Sequence, residues 1–410
     1  SRTQALADRA AAMLFYVAVA AGAVTFLYWW VSGDTQHALT RTATVLIIAC
    51  PHALGLAIPL VIAISTSLGA RNGLLVKDRL ALERARLLDM VIFDKTGTLT
   101  RGAPAVTGIA AAPGTSESEL LAVAAAVEAN SEHPLARAIV DEAKRKSMRQ
   151  LHAANFEALA GRGARAVVED KNIAVGGPRL LAEAKATVPP EVEKVTNAWA
   201  SEGRTVLSVI AEGQLLGVLA VEDEIRPESR EAVTDLHQLG IRVAMITGDA
   251  KPVAESVARR LGIDEVAAEV LPGDKAAAVK RFQAGGKQVA MVGDGVNDAP
   301  ALAAADVGIA IGAGTNVAIE SAGIVLVRSD PRDVVGAIEL SRATYRKMIQ
   351  NLMWATAYNL VAIPVAGGLF VRWGFDLPMS VGAVAMSAST IIVAINAQVL
   401  RHLSLRREAT

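Results

Sequence analysis

The sequence predicts an α/β soluble region, a parallel doubly wound sheet with a second α+β domain inserted into it, joined to four transmembrane α-helices in two hairpins. Three observations carry this expectation. The composition is 52% hydrophobic with a mean hydropathy of +0.36, above ordinary soluble usage. Long apolar stretches gather at the two ends of the chain. Between them, short apolar runs alternate with helical patterns, as in sheets whose parallel strands are joined by helices. The length of 410 residues leaves room for two or three domains. Lys plus Arg and Asp plus Glu both number 41, so net charge gives no basis for a nucleic-acid partner. A single cysteine, Cys50, excludes an internal disulfide framework.

Taken in order, Met13 to Val31 is nearly uninterrupted apolar sequence ending in Tyr28, Trp29 and Trp30, the pattern of a spanning helix with an aromatic belt. It is too long for a signal peptide and lacks a small-residue cleavage site. A polar loop is expected from Ser32 to Arg41, then a second apolar run from Ala43 to about Ala70. Cys50-Pro51-His52 and Pro59 lie inside that run, and proline frees a helix carbonyl, so a break at its centre is expected. Arg2 and Arg9 before the hairpin, and Arg71, Lys77, Arg79, Arg84 and Arg86 after it, place both flanks in the cytoplasm.

From Asp89 to Asp333 the pattern is soluble. Strands are expected at Met90 to Phe93, Val243 to Ile246, Val289 to Val292, Val307 to Ile311 and Ile324 to Val327. The segment from about Gly102 to Ala220 is long enough for a domain of its own, and its Ala-rich and Glu-rich runs read as solvated helices. Leu352 to Val371 and Pro378 to Leu400 form the second hairpin, with basic residues again on both flanks. The expected division is residues 1–75, first hairpin; 76–101 and 221–335, sheet domain; 102–220, inserted domain; 336–410, second hairpin.

The chemistry centres on Asp94-Lys95-Thr96-Gly97-Thr98-Leu99-Thr100. A strand delivers Asp94 at its carboxyl end, where open α/β sheets place ligands. There a carboxylate can attack a phosphoryl group, Lys95 can offset charge, and Gly97 lets backbone approach the phosphate. An aspartate near a glycine also caps turns; what separates the two readings is the full heptapeptide. This heptapeptide resembles the signature of the P-type ATPases, ion pumps that pass through an aspartyl-phosphate. Thr247-Gly248-Asp249 and Gly293-Asp294-Gly295-Val296-Asn297-Asp298 follow at later strand ends, and Lys275 stands in Pro-Gly-Asp-Lys. Hydroxyl and amides suit phosphate oxygens, carboxylates suit Mg²⁺, and a lysine suits the charge of a transferring phosphoryl group. Their order resembles the P-type ATPases and the wider haloacid-dehalogenase-like fold. The resemblance implies Mg²⁺ on Asp94, the Thr96 backbone and Asp294. Asp223 to Arg226 resembles the family's hinge motif.

Within the inserted segment, Glu128, Ser131-Glu132-His133-Pro134 and Gly161-Arg162-Gly163 resemble the nucleotide domain of the heavy-metal-transporting members. That implies an ATP site at Glu128, His133, Pro134, Gly161, Gly163 and Gly176; the usual Gly-Asn is Gly176-Gly177 here. In the apolar segments, Cys50 and His52 offer thiolate and imidazole, ligands suited to copper and zinc. The patterns Asn351-x6-Tyr358-Asn359-x4-Pro364 and Met386-Ser387-x-Ser389-Thr390-x5-Asn396 resemble the Cys-Pro-His copper pumps of the CopB type. By that resemblance Cys50, His52, Tyr358, Asn359, Met386 and Ser387 contact the transported ion.

The resemblance implies an ATP-driven copper exporter, integral to a bacterial or archaeal plasma membrane with its catalytic domains in the cytoplasm. Such pumps carry further N-terminal helices and an actuator domain with Thr-Gly-Glu; that tripeptide does not occur in this chain. The expectation is a chain that accepts phosphate from ATP and turns over poorly by itself. Alternatives stay open at this stage: silver or zinc as cargo, either copper oxidation state, a membrane-anchored phosphatase, or a metal sensor. Against a phosphatase stands Thr96, where that class usually has an acid; against a sensor stand the intact phosphorylation motifs.

Overall fold

The computed structural model describes residues 2–49, 52–159, 161–249, 251–312 and 316–405, without the side chains of 2–4, 6–8, 52–54 and 296. The chain forms two compact units, one of Ser1–Leu87, Gly323–Val327 and Asp333–Thr410, the other of Leu88–Ala322 and Arg328–Arg332.

In the second unit five strands run parallel, in the order Val307–Ile311, Val289–Gly293, Met90–Asp94, Arg242–Ile246 and Glu265–Ala267. The central strand is buried at every position, the state expected of an apolar run covered on both faces. Met90 and Ile92 join Ala244, Ile246, Val289 and Met291 in one core, closed by Ala278, Val279, Ala301 and Leu302 from covering helices. The register sets Asp94 beside Ile246 and Phe93 beside Val292. Asp94, Thr247 and Asp294 therefore leave the sheet along one carboxyl edge.

The strand Glu265–Ala267 was not expected, because three residues with a glutamate at their head give no apolar signal. The expected strand at Ile324 is present as Ile324–Leu326, but it belongs to the first unit, where it pairs antiparallel with Leu74–Val76 of the same unit.

The inserted segment is a six-stranded antiparallel sheet. Its order is Thr100–Ala111, Gln214–Ile225, Thr205–Ala211, Lys171–Gly176, Gly163–Val168 and Ala153–Leu159. Alternation sends Ala164, Ala166, Val168, Val209 and Val221 to one face, under the helices Glu117–Glu128 and Pro134–Arg145. The other face holds Ile210 and Val218 against Leu180 and Val192 of the helices Pro178–Ala184 and Pro190–Ser201. The Ala-rich helix Glu117–Glu128 is thus a core element rather than a solvated one, with Leu120, Leu121, Ala124 and Val127 buried. Small alanines let it lie close to the sheet.

The first unit is helical: Arg2–Val31, Thr35–Ile48, His52–Arg71, the later part of Arg332–Ala366, and Met379–Gln398. Two helices, Arg9–Val31 and Met379–His402, are long and apolar enough to cross a membrane, and only 22% of each window is buried. Soluble core helices hide such faces; these leave Phe15, Tyr16, Val24, Val384 and Ile395 exposed. The second apolar run is two helices, and the expected polar loop is shorter, because Asp34 caps Thr35–Ile48 by accepting the His37 amide. The helix Arg332–Ala366 begins twenty residues before the apolar stretch that announced it, and Val371 falls in a short 3₁₀ turn after it.

Candidate active site

The strand Met90–Asp94 presents Asp94 with extended backbone, and the chain then turns at Gly97, whose φ is +77°. A side chain at 97 would run into the Asp294 carboxylate. Glycine is required here both by the backbone angle and by the acid that approaches it.

Lys275 starts the helix Lys275–Phe282 and projects its Nζ between two acids, 2.6 Å from Asp94 Oδ1 and 2.6 Å from Asp298 Oδ1. Asp94, Asp294 and Asp298 each bring a carboxylate oxygen within 4.8 Å of the other two. Burial, and then the charge of Asp298, push the Asp94 carboxyl up to about 7 against the pull of Lys275. Asp294 is raised for the same two reasons, burial first and Asp298 second. Burial depresses Lys275, but Asp94 and Asp298 outweigh it and hold the ammonium above its ordinary value. The group is short of positive charge, with oxygen donors converging from two strand ends, and that donor set fits Mg²⁺.

Further candidate residues lie at the same sheet edge. Lys95 Nζ lies 2.6 Å from Asp249 Oδ2, which also accepts from the Thr247 hydroxyl at 2.9 Å. Thr247 Oγ1 in turn accepts the Asp249 amide, a local turn that fixes both side chains at the sheet edge. Gly248 and Thr96 are exposed beside them, as is Asn297, while Asp298 is buried and accepts the Gly295 amide at 3.2 Å. Two further residues hold the heptapeptide. Arg226 donates to the carbonyls of Gly97 and Thr100, and Asp223 accepts from the Thr100 hydroxyl at 2.5 Å and the Ala103 amide at 3.2 Å. The Asp223 to Arg226 stretch had signalled this only as a hinge resemblance; its contacts lie more than a hundred residues away in sequence, where pattern reading has no reach.

In the inserted sheet, Glu128 is buried at the end of its helix, and burial raises its carboxyl against an opposing hydrogen bond from Ser131. His133 is exposed and caps the helix Pro134–Arg145, its Nδ1 accepting the Leu135 amide at 3.2 Å, with Pro134 exposed at the first helical position. Gly161, φ +69°, faces open space. Gly163 and Gly176 oppose each other across the hairpin, and a side chain on either would strike the other strand's backbone, at Val175 or Arg162. Their identity therefore has a local packing cause.

Among the ion-contact candidates, Cys50 and the His52 side chain lie outside the described residues. The Asn359 side-chain oxygen and Tyr358 hydroxyl are buried without a hydrogen-bond partner among the described residues, as is the Ser389 hydroxyl. Met386 is half-buried. Ser387 is exposed and donates to the Ala383 carbonyl of its own helix, so of the two serines it is Ser389 that the bundle encloses.

The haloacid dehalogenase-like hydrolase family matches residues 88–306. A copper-exporting P-type ATPase B of Archaeoglobus fulgidus is 53% identical over 98% of this chain and 57% of its own length. A protein of the same description from Enterococcus hirae is 45% identical over 98% of this chain and 54% of its own. The chain thus spans about half the length of these curated relatives. Among solved structures, a zinc-transporting PIB-type ATPase in its E2.Pi state superposes with a TM-score of 0.80 at 35% identity, covering 96% of this chain and 62% of that one. The catalytic domain of a CPx-ATPase, CopB-B, matches with a TM-score of 0.53 at 30% identity, over 67% of this chain and 97% of that domain.

Proposed function

Because this chain belongs to the haloacid dehalogenase-like family and, within it, to the heavy-metal-transporting P-type ATPases of the CopB group, we propose that it is the catalytic and ion-conducting part of an ATP-driven copper exporter. The observation that carries the reading is the Asp94 carboxylate at the central strand end, bridged to Asp298 by one buried lysine.

In this reading ATP is held by the inserted sheet domain, at Glu128, His133, Pro134, Gly161, Gly163 and Gly176, with its γ-phosphoryl at the carboxyl edge of the parallel sheet. An Asp94 oxygen attacks the γ-phosphorus in line; the new P–O bond forms as the bond to the bridging oxygen of ADP breaks. Lys275 offsets charge on the transferring group, the Thr247 hydroxyl and Gly248 amide donate to its oxygens, and Asp249 keeps Lys95 pointed at the site. Mg²⁺, held by Asp94, Asp294 and the Thr96 backbone, would neutralise phosphate charge. Asn297 and Asp298 complete the acidic turn, Asp298 by anchoring Lys275. Arg226 and Asp223 fix the heptapeptide to the long strands that lead into the inserted domain.

The helical unit supplies four spans in two hairpins, built on Arg2–Val31, the paired helices Thr35–Ile48 and His52–Arg71, Arg332–Ala366, and Met379–Gln398, with the catalytic unit in the cytoplasm. The domain limits follow as 1–75, 76–101, 102–220, 221–335 and 336–410. Copper is taken between the spans by Cys50, His52 and Met386, with Tyr358, Asn359 and Ser389 as secondary contacts; Ser387, expected among them, is exposed and bonded to its own helix. Release of the phosphoryl group needs an actuator supplied by the rest of the full-length protein, since no Thr-Gly-Glu stands in these residues. A second cargo, zinc, is favoured by the likeness to the zinc-transporting structure. The test is metal uptake into inside-out vesicles carrying the full-length protein: ATP-dependent copper accumulation supports the reading, zinc accumulation alone moves the cargo, and no accumulation of either overturns it.

A further inference from the structure

Where the helix Arg332–Ala366 passes from its polar to its apolar part, the helical unit carries an open recess of about 440 Å³. It is lined by Arg86, Arg342, Tyr345, Arg346, Ile349 and Gln350, with no carboxylate among them. The guanidinium of Arg86 sits 3.6 Å from the centre of the Tyr345 ring, which holds it against the recess wall. Its Nε is buried and has no hydrogen-bond partner among the described residues. The guanidinium that lines the recess thus keeps one unpaired donor.

The depth of the recess says which anion. Helix Met379–Gln398 exposes Ile391 and Ile395, and the 3₁₀ turn Val399–His402 that follows it exposes Val399, Arg401 and His402. Leu400 and Leu403 share a cluster with Tyr345 and Met348, so the recess is level with that change from apolar to basic surface. Further along the other helix Met353 and Trp354 are exposed, marking the start of its apolar face. Basic pockets at this level between helices suit lipid headgroups.

We propose that this recess binds the phosphate of an acidic phospholipid. Its oxygens sit on Arg86 and Arg346, and its acyl chains run past Ile349 along the exposed apolar face. This rests on the membrane reading above. The full-length protein is solubilised from vesicles of phosphatidylcholine mixed with phosphatidylglycerol and washed in neutral detergent, and the lipid that stays bound is quantified by mass spectrometry. Phosphatidylglycerol is retained in preference to phosphatidylcholine, and Arg86→Gln and Arg346→Gln each lower its retention roughly fivefold. Arg71→Gln, at an exposed arginine outside the recess, leaves it unchanged. Arg346 is exposed, so its replacement leaves the packing intact, and undiminished retention in that variant overturns the proposal. Full displacement of the lipid by inorganic phosphate overturns it too, in favour of a soluble anion. A protein that fails to enter phosphatidylcholine vesicles at all refutes the membrane reading instead.

Discussion

Replacing Lys275 with methionine removes the side chain that, among the described residues, bridges Asp94 and Asp298 at 2.6 Å each. The lysine is 9% exposed and both acids are buried, so solvent cannot take its place. Breaking a buried ion pair from one side costs about 3–5 kcal/mol. The cost depends on pH, because Asp94 is already pushed up to about 7 by burial and by Asp298. A carboxyl whose folded pKa is raised is favoured by folding in its protonated form, so its penalty grows as pH rises through that value. Lys275→Met should therefore lose most stability near pH 8 and least near pH 6. Phosphorylation should suffer beyond stability, since the charge that meets the transferring group is gone, by about 10²–10³ in rate. The assay is acid-quenched labelling of the full-length protein from γ-labelled ATP, with thermal melting of the same samples at both pH values. A folded variant that labels at close to the wild-type rate would refute the assignment of Lys275 to the transferring phosphoryl.

Three more outcomes follow from single residues. Gly97→Ala puts a side chain at φ +77° and against Asp294, so it should cost roughly 1–2 kcal/mol from the backbone alone and slow labelling by about tenfold or more, read in the same assay. Glu128→Gln removes a carboxyl that burial holds above its ordinary value; melting should rise at neutral pH, and the gain should vanish as pH falls below that ordinary value, while ATP affinity by calorimetry drops. Ser389→Ala should raise the metal concentration needed for labelling, and Ser387→Ala should not, because only Ser389 is enclosed by the bundle.

The strand-end placement of the candidate motifs was legible because each is a run of neighbouring residues at the end of a buried strand, and strand burial leaves an unbroken apolar run to read. Asp94, Thr247 and Asp294 could be placed on one sheet edge before any contact was known. What pattern could not supply was partnership across distance. The bond between Arg226 and the Gly97 carbonyl, and the bridge of Lys275 to Asp298, depend on the packed core rather than on spacing. Short elements were missed for want of signal, as at Glu265–Ala267 and Leu74–Val76, three residues each. Hydropathy marked only the apolar parts of helices, so Arg332–Ala366 was read too short and Thr35–Ile48 lost its first two turns to a supposed loop. Gly163 and Gly176 carried a nucleotide resemblance, yet their tight mutual approach across one hairpin also demands glycine. Sequence alone does not separate those two demands.

The central claim is an aspartyl-phosphate on Asp94 whose formation is driven by a soft metal. The most direct test measures acid-stable label from ATP on the full-length protein across monovalent copper, divalent copper, silver and zinc, with Asp94→Asn as the blank. Label that depends on copper and disappears in the variant is the expected result. Label that persists in Asp94→Asn, or that forms equally without any metal, would contradict the account.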